Sequence, residues 1–144
     1  MKRVVISVKS TQRDKLGHDE VVELVSMGRY YERRGIQYII YEETEVTGLE
    51  GVRTTIKVSP KSVILIRHGK VNMKHVYEMD KIHESLYRTP FGDLDMLVKT
   101  HELSSNIVDG VGHVHLGYDI SIAGDWTYYN QLDITLKEDT THGN

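Results

Sequence analysis

Cysteine is absent from this 144-residue chain, alanine occurs once as Ala123, phenylalanine and tryptophan once each, and proline twice. Each shortage excludes something. Without cysteine there is no disulfide scaffold, no thiolate metal site and no cysteine nucleophile, and the chain suits a reducing compartment. With a single alanine, an all-helical fold would lack the best helix former. A dominant charge sign is missing too. Eighteen basic residues face 21 acidic ones, for a net charge of −3. That balance gives no footprint for nucleic acid or an anionic membrane. No apolar stretch approaches the roughly 18 residues of a membrane helix. The run after Met1-Lys2-Arg3 is broken by Ser7 and Lys9, short of a signal-peptide core. The expectation is a cytoplasmic protein with no nucleic-acid and no membrane partner.

What is abundant is β-branched: 16 Val, 12 Ile and 11 Thr, with nine Tyr. Such residues lose rotamer freedom in a helix and fit a pleated, half-buried surface. Period-two alternation recurs along the chain. Val4, Ile6 and Val8 alternate with Val5, Ser7 and Lys9, and Val52, Thr54, Ile56 and Val58 with Arg53, Thr55 and Lys57. Val114, Leu116, Tyr118, Ile120 and Ile122 alternate with His115, Gly117, Asp119 and Ser121. Further strands are expected over residues 20–32, 36–46, 62–67, 70–79, 83–89, 91–103 and 128–137, with residues 104–112 as a polar loop. Gly35, residues 47–51 and Ala123-Gly124 mark turns. His68-Gly69 is read as a two-residue hairpin loop that sets Ile66 against Val71 and Ile64 against Met73. That register points His75 and Tyr77 inward.

Ten strands in short, consecutive connections suggest an up-and-down antiparallel sheet. Closing the sheet removes its exposed edges. The expected fold is an all-β, single antiparallel barrel of about 8–10 strands over residues 1–138, with a disordered tail at 139–144; a β-sandwich is the alternative.

The histidines carry no metal-ligand spacing. His113 and His115 share an outer face, and Asp119 lies roughly 13 Å further along an extended strand. No metal and no cofactor is expected. There is no Gly-x-Ser-x-Gly elbow, and Gly110-Val111-Gly112 is too little for a phosphate loop. Glu43 and Glu45 share a face at a strand end, which reads as solvated charge. Asp93 and Asp95 read as outer surface. The tyrosines are more informative. Tyr77, Tyr87, Tyr118 and Tyr128 are expected inside, with Asn130, Thr54 and Thr100. Inward hydroxyls need partners, an aqueous end or a ligand.

Several patterns occur in order: Gly28-Arg29-Tyr30-Tyr31, Tyr38-x-x-Tyr41-Glu42-Glu43-Thr44, Arg67-His68-Gly69, Tyr87-Arg88-Thr89-Pro90-Phe91-Gly92, Tyr118 and Asn130. Together they resemble the YwiB-like family, small bacterial proteins of unknown function grouped with the calycin-like barrels, such as lipocalins. The resemblance spans residues 4–137 and implies a closed barrel, bacterial origin and cytoplasmic location. It implies no activity and supplies no catalytic residues.

The expected function is non-enzymatic binding of a small apolar or amphipathic molecule inside the barrel. Tyr77, Tyr87, Tyr118 and Asn130 are the expected contacts, His75 a polar contact, and Arg67 a rim residue suited to an acidic head group. Two alternatives stand beside it. One is an interaction module, a homodimer or a docking partner, using an outer patch of Ile39, Tyr41 and Leu65. The other is an enzyme with His75 as its acid–base group.

Overall fold

Alternation of β-branched and polar residues produces ten strands and one short 3₁₀ turn. The computed structural model describes residues 1–14 and 16–140, without the side chain of Tyr128. The strands are β1 (Lys2–Arg13), β2 (Asp19–Arg33), β3 (Ile36–Glu42), β4 (Val52–Val58), β5 (Ser62–Gly69), β6 (Met73–Glu78), β7 (Ile82–Thr89), β8 (Gly92–Val108), β9 (Val111–Ile122) and β10 (Asp125–Glu138). The 3₁₀ turn covers Glu45–Thr47 between β3 and β4.

All ten belong to one antiparallel sheet in the order β6-β5-β4-β3-β2-β1-β10-β9-β8-β7. The first and last strands of the chain therefore pair, with Val4 opposite Glu138 and Ser10 opposite Leu132. The sheet curls until β6 meets β7. At that seam the ladder reduces to a bridge between Asn72 and Arg88, with a second bridge from Met79 to Thr100. The result is an antiparallel, nearly closed barrel, as the alternation implies.

Three hairpins use two-residue turns with both residues at positive φ: Arg34-Gly35, Asp109-Gly110 and Ala123-Gly124. This backbone twist matches that of the flanking strands. Gly28 does something else. A Cβ there would sit 2.1 Å from Ile6 Cδ1 and 2.6 Å from the Ile40 carbonyl oxygen. Only a missing side chain lets β3 fold onto β2 at this point.

Several sequence expectations give way. Residues 104–112 are not a loop, because β8 and β9 run on as a paired hairpin, with Ser104 opposite His115 and Asn106 opposite His113. Their polarity reflects solvent on the hairpin, not irregular backbone. The β5–β6 register also differs. Arg67 faces Met73 and Leu65 faces His75, an odd-numbered shift from the expected pairing. Gly69 remains in the ladder opposite Val52, and Val71 tucks inside. An odd shift reverses one strand's faces. Val63, Leu65 and Arg67 thus point inward, while Ile64 and Ile66 lie half-buried on the outside. Finally, Ile39, Tyr41 and Leu65 are all core residues, so these three form no outer patch.

At the other terminus, Glu138 is a strand residue and Asp139 is buried, 3.6 Å from Arg3. Position 139 is thus packed against β1 and does not begin a disordered tail. The remainder of that tail, 141–144, lies outside the described residues, as does the expected inward side chain of Tyr128.

The interior divides in two. Toward the end formed by the β2–β3, β4–β5 and β8–β9 turns it is solid. Val4, Ile6, Ile56, Val63, Val98, Val114, Ile134 and Leu136 are almost wholly buried there. Toward the other end the inner face turns polar and leaves space.

Candidate functional site

The space is a cavity of about 290 Å³ inside the barrel. That is at the lower end of small-molecule sites, which run from roughly 300 Å³. Its wall is two-sided in chemistry. Val8, Val22, Leu24, Met96, Ile120 and Leu132 give an apolar side, and Tyr41, Glu43, Arg67, His75, Tyr77, Tyr87 and Tyr118 a polar one.

The ladder explains the polar side. Tyr41, Thr54, Arg67 and Met73 are cross-strand neighbours along one row of β3, β4, β5 and β6. Leu65 and His75 form part of the next row, and Val63 and Tyr77 of the one beyond. The His75 and Tyr77 rings meet edge to face with centroids 6.0 Å apart, and Tyr77 meets Tyr118 of the opposite wall likewise at 4.9 Å. Such aromatic pairs fix ring orientation at modest energetic gain.

Two polar atoms in this wall lack partners among the described residues. Arg67 Nε and His75 Nδ1 are buried, and neither makes a hydrogen bond. Buried polar groups normally find partners, so each exception asks for an explanation. Burial, reinforced by the Arg67 charge, lowers the His75 pKa to about 4. The imidazole is therefore neutral at ordinary pH. Burial pushes the hydroxyls of Tyr41, Tyr77 and Tyr118 up, so all three stay protonated; Glu43 adds to the shift on Tyr41.

Glu43, expected in solvent, is buried. Its Oε1 accepts from Thr54 Oγ1 at 2.8 Å, and its Oε2 accepts from Thr47 Oγ1 at 2.9 Å. The carboxylate thus ties the 3₁₀ turn to β4, and Thr47 and Leu49 complete the cavity wall. The signal for this residue is present in the sequence. Glu43 lies two residues after Tyr41 on one face, beside an inward Thr54. It is easily lost, because both faces of β3 carry apolar residues and alternation alone leaves the phase open.

Of the six expected contacts, five line the cavity: Arg67, His75, Tyr77, Tyr87 and Tyr118. Arg67 lies in the wall itself, one consequence of the shifted register. Asn130 does not join them. Its Nδ2 donates to the carbonyls of Thr127 and Tyr118 at 2.9 and 3.2 Å. It thereby braces the irregularity in β10 between Thr127 and Asn130, where Tyr129 takes a φ of 61°. Thr100 is wholly buried opposite Tyr118, and its hydroxyl makes no hydrogen bond among the described residues.

The outer histidines serve the wall. His115 Nδ1 meets Asp133 at 2.5 Å and its Nε2 meets Glu102 at 2.8 Å. Hydrogen bonds to these carboxylates raise its pKa, Asp133 contributing most. Among the described residues, no group of three or more His, Asp or Glu could hold a metal ion. No helix among them is long and apolar enough to cross a membrane.

The family model described as "Domain of unknown function (DUF1934)" matches residues 6–134. The chain belongs to this family. It is 27% identical over 137 residues to the uncharacterised β-barrel protein YwiB of Bacillus subtilis (strain 168), covering 95% of this chain and 94% of that one. The crystal structure of the ywiB protein from Bacillus subtilis superposes with a TM-score of 0.86 at 27% identity, over 96% of this chain and 93% of the other. The antiparallel barrel is thus shared with that relative, and the family's description assigns it no activity.

Proposed function

We propose that the barrel is a non-enzymatic binder of a small amphipathic molecule. The observation that carries this reading is a cavity of about 290 Å³ with an apolar and a polar side, whose Arg67 Nε and His75 Nδ1 are buried without partners among the described residues. The polar end of the ligand lies on Arg67, His75 and the tyrosines. Its apolar part lies along Val8, Val22, Leu24 and Leu132. Arg67 suits an acidic group, since guanidinium–carboxylate hydrogen bonds are short and strong.

Binding is favoured over catalysis by what surrounds His75. An acid–base histidine needs an orienting partner, and His75 Nδ1 has none among the described residues. The nearby carboxylate, Glu43, is engaged by two threonine hydroxyls. Ligand binding by calycin-like barrels is an analogy of fold and adds no residue to this reading. A cytoplasmic location fits the absence of cysteine.

Native mass spectrometry of the protein purified from its own cells is the test. A bound small molecule is expected, and Leu24→Trp, which fills the apolar side, should release it. An experimental density map with side chains filling the cavity would overturn the reading.

A further inference from the structure

Two opposite charges share this small cavity without touching. Glu43 Oε1 is bonded to Thr54, and Thr54 is the direct cross-strand neighbour of Arg67. Among the described residues, neither Glu43 nor Arg67 enters an ion pair within 4.0 Å. In a low-dielectric enclosure, opposite charges so placed attract strongly, and each is costly when uncompensated. The rest of the cavity adds no charge, because Tyr41, Tyr77 and Tyr118 stay protonated and His75 stays neutral. The lining therefore brings together one basic and one acidic side chain, Arg67 and Glu43.

We propose that the cavity takes a zwitterion, a small amino-acid-like molecule with its carboxylate on Arg67, its ammonium on Glu43 and an apolar side chain against Val8, Leu24 and Leu132. The proposal rests on the binding reading above and names the chemical class of the ligand. A simple carboxylate would satisfy Arg67 but bring a second negative charge toward Glu43. A simple amine would do the reverse beside Arg67. A molecule carrying both charges leaves neither unpaired. The groups have the capacity to receive it. Each Glu43 oxygen has two lone pairs and accepts one threonine hydroxyl; with the Tyr41 hydroxyl also bonded to the carboxylate, an acceptor position still remains. Arg67 Nε offers an N–H without a partner among the described residues. The apolar wall is largely aliphatic, which suits a branched alkyl side chain.

Three probes of matched shape separate the possibilities: leucine, isocaproate, which is leucine without its amine, and isoamylamine, which is leucine without its carboxylate. Each is titrated into the protein while NMR follows the signals of Tyr77, His75 and Leu24. Leucine is expected to bind at least about tenfold more tightly than either single-charge probe. Glu43→Gln should erase that advantage and strengthen isocaproate. Because Glu43 also holds the 3₁₀ turn, Thr44→Ala serves as the second variant: Thr44 lies outside the cavity lining, and its Oγ1 accepts from Val46 N to cap that turn. It loosens the same turn, keeps the charge and should retain the preference for leucine.

Isocaproate binding as tightly as leucine to the unmodified protein would overturn the zwitterion and leave the binding function standing. Equal loss of the leucine preference in both variants would also overturn it, by reducing Glu43 to a structural tie. Silence from all three probes overturns it as well. In that case a co-purified molecule in the native mass spectrum still upholds binding, and its absence removes both.

Discussion

His75 is uncharged in the folded barrel at neutral pH, and that has a measurable consequence. Its folded pKa of about 4 lies below the unfolded value of 6.5. Between those values the unfolded chain binds a proton that the native state refuses, so acidification favours unfolding. The stability His75 allows is present above pH 6.5 and is lost as pH falls toward 4. From about pH 7 to about pH 5 the loss should be about 2 kcal/mol. Urea unfolding at the two pH values should show His75→Gln losing that much less than the unmodified protein; equal losses would contradict the assignment. At this scale the sequence is partly legible. Inward Tyr118 follows from alternation along β9; the hairpin register read from the sequence also turns His75 and Tyr77 inward, although the observed pairing differs from it. The surplus of tyrosine is smaller inside than the composition suggests. Tyr31 and Tyr38 stack at 4.5 Å, each only partly buried, Tyr129 is exposed, and Tyr30, though in the core, satisfies its hydroxyl by accepting from Gln37 at 2.8 Å. Glu43 is easily missed, because its burial depends on the phase of β3.

Elements are easier to recognise than to align. The bounds of β4 follow its hydrophobic rhythm, whereas β1 runs on past its own to Arg13 and β9 starts before its own, at Val111. The β5–β6 hairpin does not follow its expected register, because spacing rules assume the shortest loop. Here the chain between β5 and β6 is used to bury Val71 and to bridge Asn72 to Arg88. No local signal encodes a contact with a strand further down the chain. Close approach leaves a clearer mark. Gly28 sits where β3 completes its pairing with β2, opposite Tyr41. Gly28→Ala would press a methyl group into Ile6 and the Ile40 carbonyl. Overpacking of this kind should cost about 3 kcal/mol, read as a lower denaturation midpoint with unchanged slope. Gly35→Ala meets no atom within 4 Å but must hold φ at 78°, so its smaller loss would separate backbone strain from crowding. A Gly28→Ala midpoint matching the unmodified protein would show that the corner is not tight.

The whole molecule closes unevenly. β1 is paired along nearly its full length on both sides, by β2 and β10. Where β6 meets β7, the backbone ladder is the pair of hydrogen bonds between Asn72 and Arg88. Local opening should begin where few backbone hydrogen bonds hold the strands. Among paired amides, hydrogen exchange should therefore be fastest for Asn72 and Arg88 and slowest for Ile6 and Val8. Uniform protection around the barrel would contradict this. That the chain forms a barrel is legible from strand number and short connections. Which pair of strands forms the weak seam is not, since sequence neighbours ordinarily pair best.

The pairing of β1 with β10 sets a timetable for synthesis. The strands that emerge first from the ribosome can build a meander from β1 to β6, yet the free side of β1 must wait for the final strand. Of all the ladder contacts, those between Val4 and Glu138 span the greatest length of chain. Distant pairings of this kind slow folding. Until the last strand arrives, the nascent chain carries an open β-edge along Val4, Ile6 and Val8, and translation stalled within β10 would leave that edge exposed to other chains.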